Sequence, residues 1–280
     1  MLRTALFRFA AVLAGFLLAV SPVRHAGAQG LPLSDAAQVS LVTVLPGDAV
    51  HSLYGHSAIR IYDPVRGIDE SFNYGTFDFD ATFLPKFLYG KLDYFLSHYG
   101  FGLAVRHYRD VEERPVVEQV LSLNADQREA VFRFLMANAR PENRYYRYDF
   151  FFDNCSTRIR DLFEETLGEH LRFTAPGDRA PAEGQTFRQI LDPYQGPFLD
   201  FGIDLLLGSP VDRTAQPRET MFLPDYLMAA FDEAVIDTGA VVPLVARTDT
   251  VVWIAGYRRG EDGVDWASVV LWLLFGVGAL

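Results

Sequence analysis

The sequence predicts an α+β domain built on a mainly antiparallel sheet, and three observations carry that prediction. Strand-like runs separated by turn sequences follow one another from Val39 to Leu121, and a capped helix comes after them. A short strand then leads into a second helix, which begins at Cys155, the single cysteine of the 280-residue chain.

Taken in order, Val39 to Leu45 reads as the first strand, ended by the turn sequence Pro46-Gly47-Asp48. Gly55 to Tyr62 alternates as a second strand closed by Asp63-Pro64, with Ser57, Ile59 and Ile61 on one face and His56, Ala58 and Arg60 on the other. Glu70 to Asp78 forms a third, interrupted at Gly75, and Val105 to Val111 and Val116 to Leu121 read as two more. Asn124-Ala125-Asp126-Gln127 resembles a capping box opening a helix through about Ala139, and Pro141 stops it. Tyr145 to Phe152 is the short strand before the Cys155 helix, for which Gly168 supplies the C-terminal stop. Leu171 to Thr186 reads as a surface loop, Leu223 to Ala234 as a helix, and Val241 to Ile254 as a strand pair. Eleven aromatics fall in the thirty residues from Phe72 to Phe101, against a chain average of 14 %, and part of that run is expected to line an apolar groove.

The two ends read differently from the middle. Residues 1–28 combine Arg3 and Arg8 with an apolar run from Ala10 to Val20 and a small-x-small site at Ala26-Gly27-Ala28, the pattern of a signal peptide cut before Gln29. No cysteine follows that run, so a lipid-anchored lipoprotein is not expected. Trp266 to Leu280 carries no charge; as a helix it would span about 22 Å of a hydrocarbon core of roughly 30 Å. It reads as a truncated transmembrane segment, with a terminal core helix as the alternative. Without the leader and its three arginines, 22 basic residues face 36 acidic ones, a formal net charge of −14. That balance argues against nucleic acid as a partner and against general attraction to anionic membrane surfaces.

A lone cysteine ordinarily packs as a small hydrophobe. Here Asp153-Asn154 caps a helix whose apolar members are Ile159, Leu162, Phe163 and Leu167, which places Cys155 in the first turn, where unpaired N–H groups and the helix dipole favour a thiolate. An exported chain with one cysteine makes no internal disulfide, so the thiol is a candidate for reactivity. Thiol catalysis also needs an imidazole, an orienting polar group and oxyanion donors. His51, His98 and His170 sit in irregular surroundings and His107 lies between bulky same-face neighbours; His56 lies on a regular strand beside the small Ala58. Asn73 is the candidate orienting residue, with Asp78 in reserve. The Cys155 N–H serves the oxyanion, with Asn154, Tyr54 and Tyr74 as candidate oxyanion or substrate-binding side chains. A metal site is not expected, because His51 and His56 would face opposite sides of one strand and no acid–histidine cluster lies close by.

These residues carry a resemblance. Tyr54-Gly55-His56-Ser57-Ala58-Ile59-Arg60, Asn73-Tyr74-Gly75-Thr76-Phe77-Asp78, Tyr146-Arg147-Tyr148 and Asn154-Cys155-Ser156-Thr157-Arg158 look like the Lnb N-terminal periplasmic domain family. Phe201 to Ser209 and Phe222-Leu223-Pro224 are similar too, so the likeness covers about residues 36–255. The His-before-Cys order also resembles circularly permuted papain-like enzymes, including lecithin:retinol acyltransferases. The resemblance implies a permuted papain-like periplasmic domain that works through a thioester and without a cofactor. In one branch of the family the acyl donor is a phospholipid and the acceptor is the terminal amine of a bacterial lipoprotein. Members typically continue into several membrane helices, which implies anchoring in the inner membrane from residues 266–280 onward. A papain-like cell-wall peptidase or amidase and a non-catalytic envelope binding module are the other readings.

Overall fold

Hydrophobic periodicity and caps place the elements, and the computed structural model describes them over residues 32–49, 52–77, 93–174, 184–194 and 209–257. The leader, Asp78 and the aromatic run up to residue 92, the apolar run Ile203 to Leu207 and the uncharged run from Trp266 lie outside the described residues. Strands β1 (Gln38–Val44), β2 (His56–Asp63), β3 (Ile68–Phe77) and β4 (Asp93–Gly100) come first, followed by helix α1 (Phe101–Asp110), β5 (Val116–Leu121) and α2 (Ala125–Asn138). Next come β6 (Tyr145–Arg147), α3 (Cys155–Leu167), β7 (Leu171–Arg172) and α4 (Phe187–Leu191). The remaining elements are α5 (Pro217–Thr220), α6 (Pro224–Glu233), β8 (Val235–Asp237), β9 (Val241–Pro243) and β10 (Val245–Val252).

The result is an α+β fold. Its main sheet has seven strands in the order β10-β5-β1-β2-β3-β4-β6, every neighbouring pair antiparallel. A small antiparallel sheet, β7-β8-β9, stands apart from it. Alternation along the strands separates two apolar faces. One carries Leu41, Ile59, Ile61, Phe72 and Leu96 against Val131 and Leu135 of α2, Ile159 and Phe163 of α3, and Leu227 and Phe231 of α6. The other carries Val42, Val44, Ala58, Val116 and Val252 against Phe101 of α1. A separate cluster of Leu53, Phe187, Ile190, Phe222 and Leu223 takes in Phe150 and Phe151, the aromatic approach to Cys155.

The capping box at Asn124 and Gln127 forms as the sequence predicts, and Gly168 ends α3 with φ +54°. Three expectations are corrected. Val105 to Val111 is not a strand but the second half of α1, because Phe101, Ala104, Val105 and Tyr108 recur at helical spacing and pack together on the sheet. The strand after Tyr145 stops at Arg147; beyond it the Asp149 carboxylate accepts from the N–H groups of Phe151 and Phe152 at 2.9 and 3.0 Å, folding the chain into a turn. Val241 to Ile254 is not a hairpin, since β9 pairs with β8 while β10 crosses to the edge of the main sheet beside β5.

Gly55, which feeds the chain into β2, sits at φ +82°, and a Cβ there would lie 2.9 Å from the Val44 carbonyl and 3.4 Å from Pro224 at the start of α6. Gly55→Ala therefore meets both an unfavourable backbone region and a closed space. Urea unfolding should show a loss of about 2 kcal/mol; a midpoint equal to the parent's would mean that this approach is not constraining.

Candidate active site

The sulfur is positioned by the cap beneath it. The Asn154 Oδ1 accepts from the N–H groups of Ser156 and Thr157 at 2.8 and 2.9 Å, and the Thr157 hydroxyl accepts in return from the Asn154 N–H at 2.7 Å. The Asn154 Nδ2 donates to the carbonyls of Phe150 and Phe222 at 2.7 and 2.9 Å, tying the helix start to the aromatic turn and to the segment before α6. The Arg158 N–H goes to the Asn154 carbonyl. The Cys155 N–H has no acceptor among the described residues, so one of the orphan donors of the first turn stays open beside the thiol. Ser156, fully buried, meets Ser57 of β2 hydroxyl to hydroxyl at 3.0 Å and holds the helix start against the strand.

His56 is the first residue of β2, in register with Val44 of β1. Its ring lies on Gly75 of β3 so closely that a Cβ on Gly75 would sit 2.6 Å from the imidazole Cε1 and 3.2 Å from Nδ1. The interruption that Gly75 makes in the third strand is therefore the space the imidazole occupies. The ring's Nε2 is buried and has no hydrogen-bond partner among the described residues. Asn73 does not supply one: its Oδ1 accepts from the Gly75 N–H at 2.6 Å and its Nδ2 donates to the Tyr99 hydroxyl at 3.3 Å. Its amide oxygen reaches the Gly75 backbone and not the ring, at the irregularity in pairing between Asn73 and Thr76. Asp78, the reserve, lies outside the described residues.

Burial is the largest influence on Cys155 and by itself pushes the thiol up; the nearby His56 charge, with hydrogen bonds from His56, the Ser57 N–H and the Ser156 hydroxyl, outweighs it and draws the thiol below its ordinary value. The sulfur is half-buried. Three tyrosines that the sequence reading did not single out surround it. Burial, with the Cys155 charge adding to it, pushes Tyr94 up to about 12 and raises Tyr146 and Tyr148 as well, so all three stay protonated at neutral pH. Tyr94 stacks on Tyr148 with ring centroids 4.2 Å apart, and Tyr146 donates its hydroxyl to the Tyr74 carbonyl. Tyr94 comes from β4, a strand hidden within the aromatic run; Tyr146 and Tyr148 belong to a quoted motif whose spacing had no assigned role.

The other candidates separate. Asn154 presents no donor to an oxyanion, since both of its amide hydrogens go to backbone carbonyls. Tyr54 packs against Phe150 and Tyr194 at 5.0 and 5.7 Å and interacts with Tyr148, at the border of the site. Tyr74 is buried on the helix-covered face, with its hydroxyl toward Arg158 and Glu165 instead of the sulfur. His98 pairs with Glu70 at 2.7 Å on β4, and His107 with Glu112 at 2.8 Å at the end of α1, so both have partners away from Cys155.

Two outcomes follow. The rate of Cys155 alkylation by iodoacetamide should rise with pH through a midpoint below that of an ordinary thiol, and His56→Ala should move the midpoint upward, since burial then acts with less opposition; an unmoved midpoint would uncouple the pair. Asn154→Ala should cost about 2–3 kcal/mol in urea unfolding, the cap plus two stranded carbonyls.

No curated protein and no solved structure matches the chain. A family model does, the Lnb N-terminal periplasmic domain, over residues 32–192, a span that holds His56, Asn73 and Cys155. The chain belongs to the Lnb N-terminal periplasmic domain family.

Proposed function

We propose that the chain is an envelope thiol acyltransferase that carries a phospholipid acyl chain on Cys155 as a thioester and passes it to an amine such as a lipoprotein N-terminus. The observation that carries this reading is a half-buried thiol at a capped helix start, which the Ser57–Ser156 contact holds against the strand that His56 begins. Membership in a periplasmic domain family supports the location. The order of a strand histidine ahead of a helix-start cysteine supports a permuted papain-like arrangement. Residues 266–280, outside the described part, serve in this reading as the start of the inner-membrane anchor.

In the first half-reaction the thiolate attacks the ester carbonyl carbon, a C–S bond forms, and the carbonyl oxygen becomes an oxyanion received by the open Cys155 N–H. Collapse breaks the ester C–O bond, and the His56 imidazolium gives its proton to the departing lysophospholipid alkoxide. In the second, the amine nitrogen attacks the thioester and loses a proton to His56. The C–S bond breaks, leaving an amide and the original thiolate–imidazolium pair.

Mass spectrometry after incubation with phospholipid should find the parent protein heavier by one acyl chain, with the adduct removed by hydroxylamine and absent from Cys155→Ala. Full transfer activity in that variant would end the reading. Peptide release from peptidoglycan without an acyl adduct would assign the same thiol to a peptidase or amidase, and a thiol inert to mild reagents would leave a binding module. Gly75→Ala, which displaces the His56 ring, should lower transfer about 100-fold, with stability changed by about 1 kcal/mol or less.

A further inference from the structure

Each of the two residues assigned to the chemistry is followed in the chain by a serine, Ser57 after His56 and Ser156 after Cys155. Both serines are fully buried, and their hydroxyls meet at 3.0 Å across the seam between β2 and α3. The Ser156 hydroxyl also lies 3.9 Å from the Cys155 sulfur, within reach of a hydrogen bond to sulfur. Neither hydroxyl has a further partner among the described residues. Thr43, which faces Ser57 in register on β1, does not supply one, since its own buried hydroxyl oxygen has no partner among the described residues.

Two hydroxyl hydrogens are thus shut in with three acceptors, the two serine oxygens and the sulfur. Each hydroxyl has one hydrogen to give, and a buried donor left without an acceptor is costly. If Ser156 donates to Ser57, the Ser57 hydrogen is stranded and the sulfur receives nothing from this side. If Ser57 donates to Ser156, the Ser156 hydrogen turns to the sulfur and both are used. A neutral thiol accepts weakly, whereas a thiolate is charged and takes such a bond more strongly. The Ser57 N–H reaches the same sulfur directly, so one residue of β2 serves it through its backbone and, by way of Ser156, through its side chain.

We propose that Ser57 and Ser156 form a one-way donor line into the nucleophile, Ser57 Oγ–H to Ser156 Oγ and Ser156 Oγ–H to Cys155 Sγ, in which Ser156 touches the reacting atom and Ser57 is a positioning residue that sets its direction. The inference rests on the thiolate nucleophile of the acyl-transfer reading and is independent of which donor and acceptor it serves. In the first half-reaction the line lowers the energy of the attacking thiolate. In the second it stabilises the sulfur as it leaves the thioester with the electron pair of the broken C–S bond. No proton passes along the line; an acylated sulfur is uncharged and a poor acceptor, so the bond strengthens as the charge returns.

The experiment is the pH profile of Cys155 alkylation by iodoacetamide in the full chain, measured for Ser57→Ala, Ser156→Ala and the double variant, with urea unfolding alongside. Ser156→Ala should raise the midpoint by about 0.5 pH unit and slow alkylation at neutral pH about threefold. Ser57→Ala should shift it less and in the same direction, and should add nothing once the Ser156 hydroxyl is gone, because its side chain acts only through that hydroxyl. If the serines serve packing alone, the urea midpoints fall while the pH profile stays where it is, and the proposal is overturned. A Ser57→Ala shift that persists in the Ser156→Ala background, or a midpoint that moves down, overturns it as well. Each variant removes one oxygen and little volume, and Ser156→Ala decides the main point even if Ser57→Ala does not fold. Alkylation needs no acyl donor, so a protein that shows these shifts and never takes up an acyl chain would end the acyl-transfer reading and leave the donor line standing.

Discussion

The amide of Asn154 is the constraint on which the site depends. One small side chain satisfies two N–H groups at the start of α3 and two carbonyls from elsewhere in the chain, and it does so while 4 % exposed. Inside a protein such a network has no water to fall back on, so the four bonds fix where the helix begins and how it meets the aromatic turn. The position of Cys155 follows, and so does its open N–H, because the cap reaches the next two residues and not that one.

The second constraint is space. Gly55 just before β2 and Gly75 on β3 each admit something where a methyl group could not fit: the Val44 carbonyl in the first case and the His56 ring in the second. The imidazole is thereby held by shape more than by a direct polar partner, and among the described residues its Nε2 has none. A positive charge on that ring offsets the cost of burying a thiolate.

The surroundings of the thiol are aromatic and protonated. Tyr94, Tyr146 and Tyr148 lie around the sulfur without bringing charge, since burial keeps all three protonated at neutral pH. Farther along α3 the character changes to charge of both signs, with Arg158 on Asp153 and Arg160 beside Asp161. One helix thus presents a thiol at its start and ion pairs beyond it.

Much of this was legible in the residues themselves. Alternation over Ser57 to Ile61, the Asn124 and Asn154 caps, and Gly168 at the helix end are local signals, each set by the conformations of a few adjacent residues, and they place β2, α2, α3 and the cysteine at its start. Where several elements competed for the same short signal the reading failed: Val105 and Val111, read as strand ends, hid the helical spacing of Phe101 to Tyr108, and the density of aromatics hid β4. The placement of Asn73 and of the tyrosines around the sulfur needed the folded chain. Sequence by itself determined that a capped cysteine and a strand histidine exist; only the tertiary structure decided that they meet and what lies between them, because a contact spanning 99 residues depends on how sheet and helices pack and not on any local preference.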